Sequence, residues 1–307
     1  MNDTCSATRT TLTIPTYLRH PDRRLPELFA SGHGANYPDT KDDMPSSRKK
    51  NVDYEAVILE NRHLRLTIIP ELGGKLWSAY DKNAKEESIY VPDVIKPCLV
   101  GRAGSWIPGG MEFNYPTGHH ILTMRLMPVV ITEDRPERVT AVVQRTCART
   151  RMRMDVIIRL AADEARFDID YRVSNPTPLR HRWYQWTNVG VLASPQWQFQ
   201  GKAPYYTTQR NVHKYPVDGS GRDSSWYVNR DWPSDSFLLG CREDWFGYYD
   251  HGREAGICHI APWQDVRGKK YFTWGYEKKV YNDGLAFSDE GHAYLEIQAG
   301  PFETQRV

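Results

Sequence analysis

The feature that most constrains this chain is alternation. From Glu55 onward, apolar and polar residues take turns in short runs, and no stretch long enough for a helix repeats with a 3.6-residue period. Successive side chains of a strand point to opposite faces, so each run specifies a strand with one buried side. Glu55-Ala-Val-Ile-Leu and His63-Leu-Arg-Leu-Thr-Ile-Ile read as two strands joined at Glu60-Asn61-Arg62. Gly73-Gly74 separates the second from Lys75-Leu-Trp-Ser-Ala-Tyr, and Asp81-Lys82-Asn83 makes a turn. A meander follows over 138–150, 151–160 and 165–174, and the last third adds candidate strands at 237–241, 245–249, 256–261, 270–274 and 293–298. With 22 Gly and 20 Pro as punctuation, the expectation is an all-β fold, a large antiparallel sandwich.

Residues 1–50 read differently. They hold one short strand candidate at 11–17 and then a stretch rich in Pro, Gly, Asp and Ser, which suggests an irregular arm packed on a main domain over 51–307. No interior linker and no 20–50-residue repeat divides the chain, so one domain is expected.

Charge and cysteine usage narrow the function. Lys and Arg total 40 against 38 Asp and Glu, a net charge of +2 with the signs interleaved, which argues against a nucleic-acid partner. Arg145, Arg149, Arg151 and Arg153 fall at odd spacing, the pattern of a solvated sheet face. The five cysteines are far apart and form no C-x-x-C unit, so neither a disulfide framework nor a metal site is indicated. The first thirty residues hold no apolar signal core, and no run of 18 apolar residues occurs, which leaves a cytoplasmic protein without a membrane partner as the expectation. A core of this size needs no cofactor as a staple. Oligomeric state stays open.

Four segments carry possible chemistry. The stretch from Arg102 to His120 packs Trp106, Glu112, Asn114, Tyr115, His119 and His120 among Gly and Pro. A sugar needs flat rings under its C–H face and polar groups for its hydroxyls, and this loop offers both; the plainer alternative is an ordinary long loop. In 180–189, Tyr184, Trp186 and Asn188 share one strand face while Trp183, Gln185 and Thr187 share the other, either a sugar platform or a packed aromatic core. Asp250 and His251 are adjacent near the end of an aromatic strand, where a tight turn is the alternative. Glu296 and Gln298 alternate with Leu295 and Ile297, so the two polar groups face either solvent or a cleft. Trp274 ends the 270–274 run and joins Trp106 and Trp186 as a candidate sugar contact.

These segments resemble the galactose-mutarotase-like, or aldose 1-epimerase-like, superfamily. The similarity lies in Leu59-Glu-Asn, Ile69-Pro-Glu-Leu-Gly-Gly-Lys-Leu-Trp-Ser, Asp81-Lys82, Val94-Ile-Lys-Pro, Trp106-Ile-Pro-Gly-Gly-Met-Glu-Phe-Asn, Gly118-His119 and Tyr294-Leu-Glu-Ile-Gln-Ala-Gly. It covers about residues 11–305 and is greatest to an uncharacterised bacterial branch often found ahead of tetratricopeptide repeats. The resemblance implies an antiparallel β-supersandwich and a mono- or oligosaccharide partner. It also implies that Glu296, in Leu295-Glu-Ile-Gln298, is the base that takes the anomeric hydroxyl proton, and that Asp250 binds sugar hydroxyls. The superfamily's His-Gly-Gly is Pro108-Gly109-Gly110 here, and its Asn-His pair finds only Thr187-Asn188. The acid that protonates the ring oxygen must then come from elsewhere, with His119 or His120 the nearest substitutes.

Three functions are expected from this reading. The first is an epimerase with Glu296 as base and His119 or His120 as acid. The second is a glycoside hydrolase or lyase using Glu112 and Glu296 as its carboxylate pair. The third is a non-catalytic sugar-binding module. A metal held by Glu112, His119 and His120 is weaker than all three, because that spacing matches no familiar ligand set.

Overall fold

Twelve of the strands in this computed structural model join one antiparallel sheet, and the sheet is what gives the alternating runs their common buried side. The structure describes residues 4–19, 25–26, 40–41, 45–101, 104–116, 121–208, 211–231, 233–274 and 287–304. Across the sheet the strands run Ser6–Arg19, Pro45–Glu60, Leu64–Ile69, Lys75–Asp81, Met111–Asn114, Trp186–Leu192, Tyr294–Gly300, Gly268–Thr273, Ser234–Leu239, Tyr205–Thr207 and Val212–Lys214. The short Glu86–Glu87 strand pairs off this path with Lys75–Asp81. A four-stranded sheet, Val129–Arg135 through Asp168–Ser174, and a three-stranded sheet of Trp197–Gln200, Trp245–Asp250 and Ala255–Ile260 complete the main layers. The protein is an all-β antiparallel sandwich.

One face of the large sheet holds the main core. Val57, Leu66, Ile68, Val189, Leu295 and Ile297 point from it into a cluster with Val139, Val143, Met154, Val156 and Ile158 of the four-stranded sheet. Trp197, Phe199 and Phe246 of the three-stranded sheet join the same cluster, and Phe199 lies 4.5 Å from the Tyr271 ring. Burying these side chains contributes about 1.5–3 kcal/mol each, which makes the core the main favourable term of folding. The period of two then sends every alternate residue of the central strands to the opposite face, and that face carries the polar groups described below.

Two expectations about the periphery need correction. The N-terminal strand is not confined to 11–17: it spans Ser6–Arg19 and pairs with Pro45–Glu60 from Ser6 opposite Glu60 to Tyr17 opposite Lys49. The pairing is sustained by backbone hydrogen bonds across a mostly exposed ribbon, so burial alternation did not mark its length. The four arginines likewise do not share a solvated face. Arg149 and Arg151 sit at the turn between strands, and Arg145, 1% exposed, points inward beside Val143 and donates to the carbonyls of Phe113 and Gly73. Those two carbonyls take one N–H from each terminal nitrogen of the buried guanidinium, which helps an inward position tolerate it. Burial lowers its pKa to about 10.

The Ile69-Pro-Glu-Leu-Gly-Gly motif forms a 3-10 turn over Pro70–Leu72, closed by Gly73 at φ 72°. A Cβ at Gly73 would stand 2.5 Å from the Thr123 carbonyl oxygen, so both the backbone conformation and the space require glycine. The turn launches Lys75–Asp81 into the sheet and delivers Lys75 to the polar face.

Candidate functional site

Register builds the site. Glu112 pairs with Asn188, Asn188 with Gln298, and Gln298 with Lys270, so four residues from four adjacent strands stand in one row on one face. Lys75, on the next strand out, faces Glu112 with its Nζ 3.9 Å from Glu112 Oε2. Glu296 stands one pleat away from Gln298 on the same face, opposite Gly190 and Phe272. All of these side chains are buried: Glu112 is 3% exposed, Asn188 3%, Gln298 4%, Lys270 4% and Glu296 4%.

The polar atoms are only partly satisfied. Gln298 Nε2 donates to Glu296 Oε2 at 2.6 Å, and the Tyr294 hydroxyl donates to Glu296 Oε1. Asn114 Nδ2 donates to Glu112 Oε1 at 2.6 Å. Among the described residues, Glu112 Oε2, Asn114 Oδ1, Asn188 Oδ1 and Gln298 Oε1 have no hydrogen-bond partner. A buried orphan acceptor costs about 1–3 kcal/mol, so four of them on one patch are a concentration of unmet hydrogen-bonding capacity. The Trp106 indole N–H is turned toward Glu112 but falls outside hydrogen-bonding geometry.

Opposite charges stand at the two ends of the row, Glu112 at one and Lys270 at the other. Burial pushes the Glu112 carboxyl up, against the opposing pull of Lys75 and the Asn114 amide. Burial pushes the Lys75 ammonium down, against Glu112 and Glu296. Its proton is held by the carbonyls of Ile107 and Gly109, at 2.7 and 2.8 Å. Burial also lowers Lys270, whose Nζ lies 3.6 Å from Asp235 and 5.0 Å from the centre of the Trp186 ring. The Tyr294 hydroxyl is raised well above its ordinary value, first by burial and then by Glu296.

Aromatic rings wall this patch. Trp106 packs at 6.1 Å from Trp274 and 5.9 Å from Tyr294, and Phe287 closes the cluster 4.8 Å from Trp274. On the other side Tyr184 lies 5.0 Å from Trp186, and a crevice between Trp186, Phe237, Phe302, Lys270 and Gln298 leads along the row. The crevice has no room for a water molecule.

The structure therefore brings together Trp106, Glu112, Asn114, Trp186, Asn188, Trp274, Glu296 and Gln298. His119 and His120 lie outside the described residues. Asp250 and His251 do not join the others: their sheet packs on the core face of the large sheet, through Trp197 and Tyr271 at 6.1 Å, while the row faces the opposite way. Asp250 caps a turn instead, accepting from Gly252 N at 2.9 Å, Arg253 N at 3.2 Å and Ser194 Oγ at 2.7 Å. His251 stacks on Trp226 at 5.0 Å in the same turn. Lys75, Lys270 and Tyr294 were missed as site residues. For Lys75 and Tyr294 a signal was present, since both stand inside the motifs that carry the resemblance.

Comparison with known proteins agrees with this architecture. A family model described as a domain of unknown function (DUF5107) matches residues 33–307. The crystal structure of a TPR-domain containing protein from Parabacteroides distasonis is 21% identical with a TM-score of 0.87, covering 100% of this chain and 52% of that one. The chain thus spans about half the length of that protein. A galactose mutarotase-like protein from Clostridium acetobutylicum is 9% identical, with a TM-score of 0.54 over 83% of this chain and 87% of that one. Another, from Lactobacillus casei, is 10% identical, with a TM-score of 0.52 over 79% and 86%. At these identities the likeness is one of fold. Among the described residues no helix is long and apolar enough to cross a membrane.

Proposed function

The chain belongs to the DUF5107 family, and on that footing we propose that it binds a sugar on the polar row and performs acid–base chemistry at the anomeric centre. The observation that carries the reading is the row itself: four unpartnered buried acceptors beside two carboxylates, under a wall of indole and phenyl rings. Sugar hydroxyls supply donors to Asn114, Asn188 and Gln298, and the C–H faces of the ring stack on tryptophan.

In this reaction Glu296 takes the proton of the anomeric hydroxyl while a proton passes from Glu112 to the ring oxygen. The bond between C1 and the ring oxygen opens, C1 becomes an aldehyde carbon, and rotation followed by reclosure inverts the anomer. Tyr294 and Gln298 donate to the two oxygens of Glu296 and fix its orientation. Burial raises the Glu112 carboxyl above the ordinary carboxylate range, a shift in the direction an acid needs. The mutarotase-like fold of the solved relatives supports a sugar as the ligand class.

The presence of two buried carboxylates also favours a second reading, a glycoside hydrolase or lyase on the same groove. Strand spacing puts the Cα atoms of Glu112 and Glu296 about 12 Å apart, a separation that long side chains bridge.

Polarimetry of freshly dissolved monosaccharides, run beside chromatography of oligosaccharides, divides the two. Accelerated mutarotation supports the epimerase and released sugar supports the hydrolase. Glu296→Gln is expected to lower either turnover at least about 100-fold while sugar affinity survives. Full activity in that variant eliminates both, and a protein that only gains thermal stability from a sugar is a binding module.

A further inference from the structure

Lys75 has no role in the chemistry so far, yet it is a tightly held charge beside Glu112. It is 2% exposed, and two of its three protons are engaged by the Ile107 and Gly109 carbonyls on either side of Pro108. Its Nζ lies 3.9 Å from Glu112 Oε2, close enough for strong attraction and too far for a hydrogen bond. Two other charges act on this pair: Glu296 on Lys75 from the same face, and Arg145 on both Lys75 and Glu112 from the four-stranded sheet. Glu112 also meets Asn114 and the Trp106 indole. Gly109 and Gly110, at φ 75° and 63°, shape the turn that presents the Gly109 carbonyl to the ammonium.

We propose that Lys75 is a positioning residue for this site: pinned by the Gly-Gly turn, its ammonium is the fixed counter-charge against which Glu112 releases and retakes a proton. The proposal rests on Glu112 as the acid of the preceding reading. When Glu112 gives its proton to the ring oxygen, it becomes a carboxylate in a buried setting, and Lys75 is the cation already in place to receive that charge. No rearrangement is then required at the moment of transfer. The superfamily's histidine before the Gly-Gly is absent from this chain, and an ammonium tied to the same turn occupies the neighbourhood.

The test measures Glu112 directly in the 307-residue chain. Side-chain carboxyl carbons of 13C-labelled glutamate are followed through a pH titration, with Glu112→Gln assigning the resonance. Removing the cation in Lys75→Met is expected to raise the Glu112 midpoint by about 1–3 pH units, whereas Lys75→Arg leaves it near wild type. An unchanged midpoint in Lys75→Met overturns the proposal. Should that variant not fold, the reciprocal measurement decides: the Lys75 midpoint, followed by 15N, falls in Glu112→Gln if the two charges are coupled and stays put if they are not. Where turnover is found, the alkaline limb of its pH profile moves up in Lys75→Met, an effect that a merely structural lysine does not produce. Absence of any sugar turnover overturns the enzymatic reading and with it the catalytic use of the pair, whereas an unchanged midpoint in Lys75→Met overturns the coupling itself whether or not turnover is found.

Discussion

Gln298 Nε2 donates to Glu296 Oε2 at 2.6 Å, while the same side chain's Oε1 has no partner among the described residues. One amide therefore orients a carboxylate and offers an acceptor to whatever lies above it. The two functions belong to opposite ends of one planar group, so neither can change without the other.

Gln298→Met keeps the volume and removes both ends. The loss of one charge-assisted bond and one ligand contact is expected to weaken sugar binding and turnover together, each by about 10-fold. Isothermal titration and initial rates read the two effects separately. Unchanged affinity shows that Oε1 does not meet the ligand.

Asp250→Asn tests the corrected placement of the aspartate. A turn cap predicts a fall in stability of about 1 kcal/mol by urea denaturation, with sugar affinity unaltered. A sugar-contacting Asp250 predicts the reverse: near-native stability and lost affinity.

Gly190 sits on the central strand where the Gly-Gly turn crosses it. An added Cβ would meet Gly109 Cα at 2.9 Å and the Tyr294 ring at 2.6 Å. Gly190→Ala is expected to cost about 1–3 kcal/mol and to lower the melting temperature, because neither neighbour can retreat without disturbing Lys75 or Glu296. A variant that melts like the parent shows that the turn has slack.

His259 gives the molecule an acid-sensitive point away from the row. Burial, with Lys269 beside it, lowers its pKa to about 4, and its Nδ1 has no hydrogen-bond partner among the described residues. In the unfolded chain it titrates near 6.5, so between those values the unfolded state holds more protons. Stability contributed by neutral His259 is present above pH 6.5 and lost as the pH falls toward 4. His259→Phe is expected to flatten the acid side of the stability curve; an unaltered slope in that range assigns the acid sensitivity elsewhere.

How much of this was legible in the sequence depends on which force shaped each part. Strands with one face more buried than the other, such as Arg153–Ala161 and Asp168–Ser174, announce themselves because alternation follows burial. The Ser6–Arg19 ribbon did not, because it is held by backbone pairing across exposed residues. Arg145 was misplaced for a related reason: two backbone carbonyls accept from it, and a pattern of residue types does not reveal what neighbouring segments offer.

The face that Glu296 shares with Gln298 was readable within its own strand, and so was the shared face of Trp186 and Asn188. What brought those faces into one site was register between strands distant in sequence, which no local pattern encodes. Asp250 shows the opposite limit. Its segment is similar to a sugar-contacting one, yet its carboxylate is already used by its own turn.

The row at the heart of the molecule draws one residue from each of four strands, at positions 112, 188, 270 and 298. No contiguous fragment shorter than that interval contains it, and no partly zipped sheet displays it. Any compound that occupies the row is thereby a reporter of complete folding, able to distinguish the finished molecule from intermediates that already look β-rich by spectroscopy.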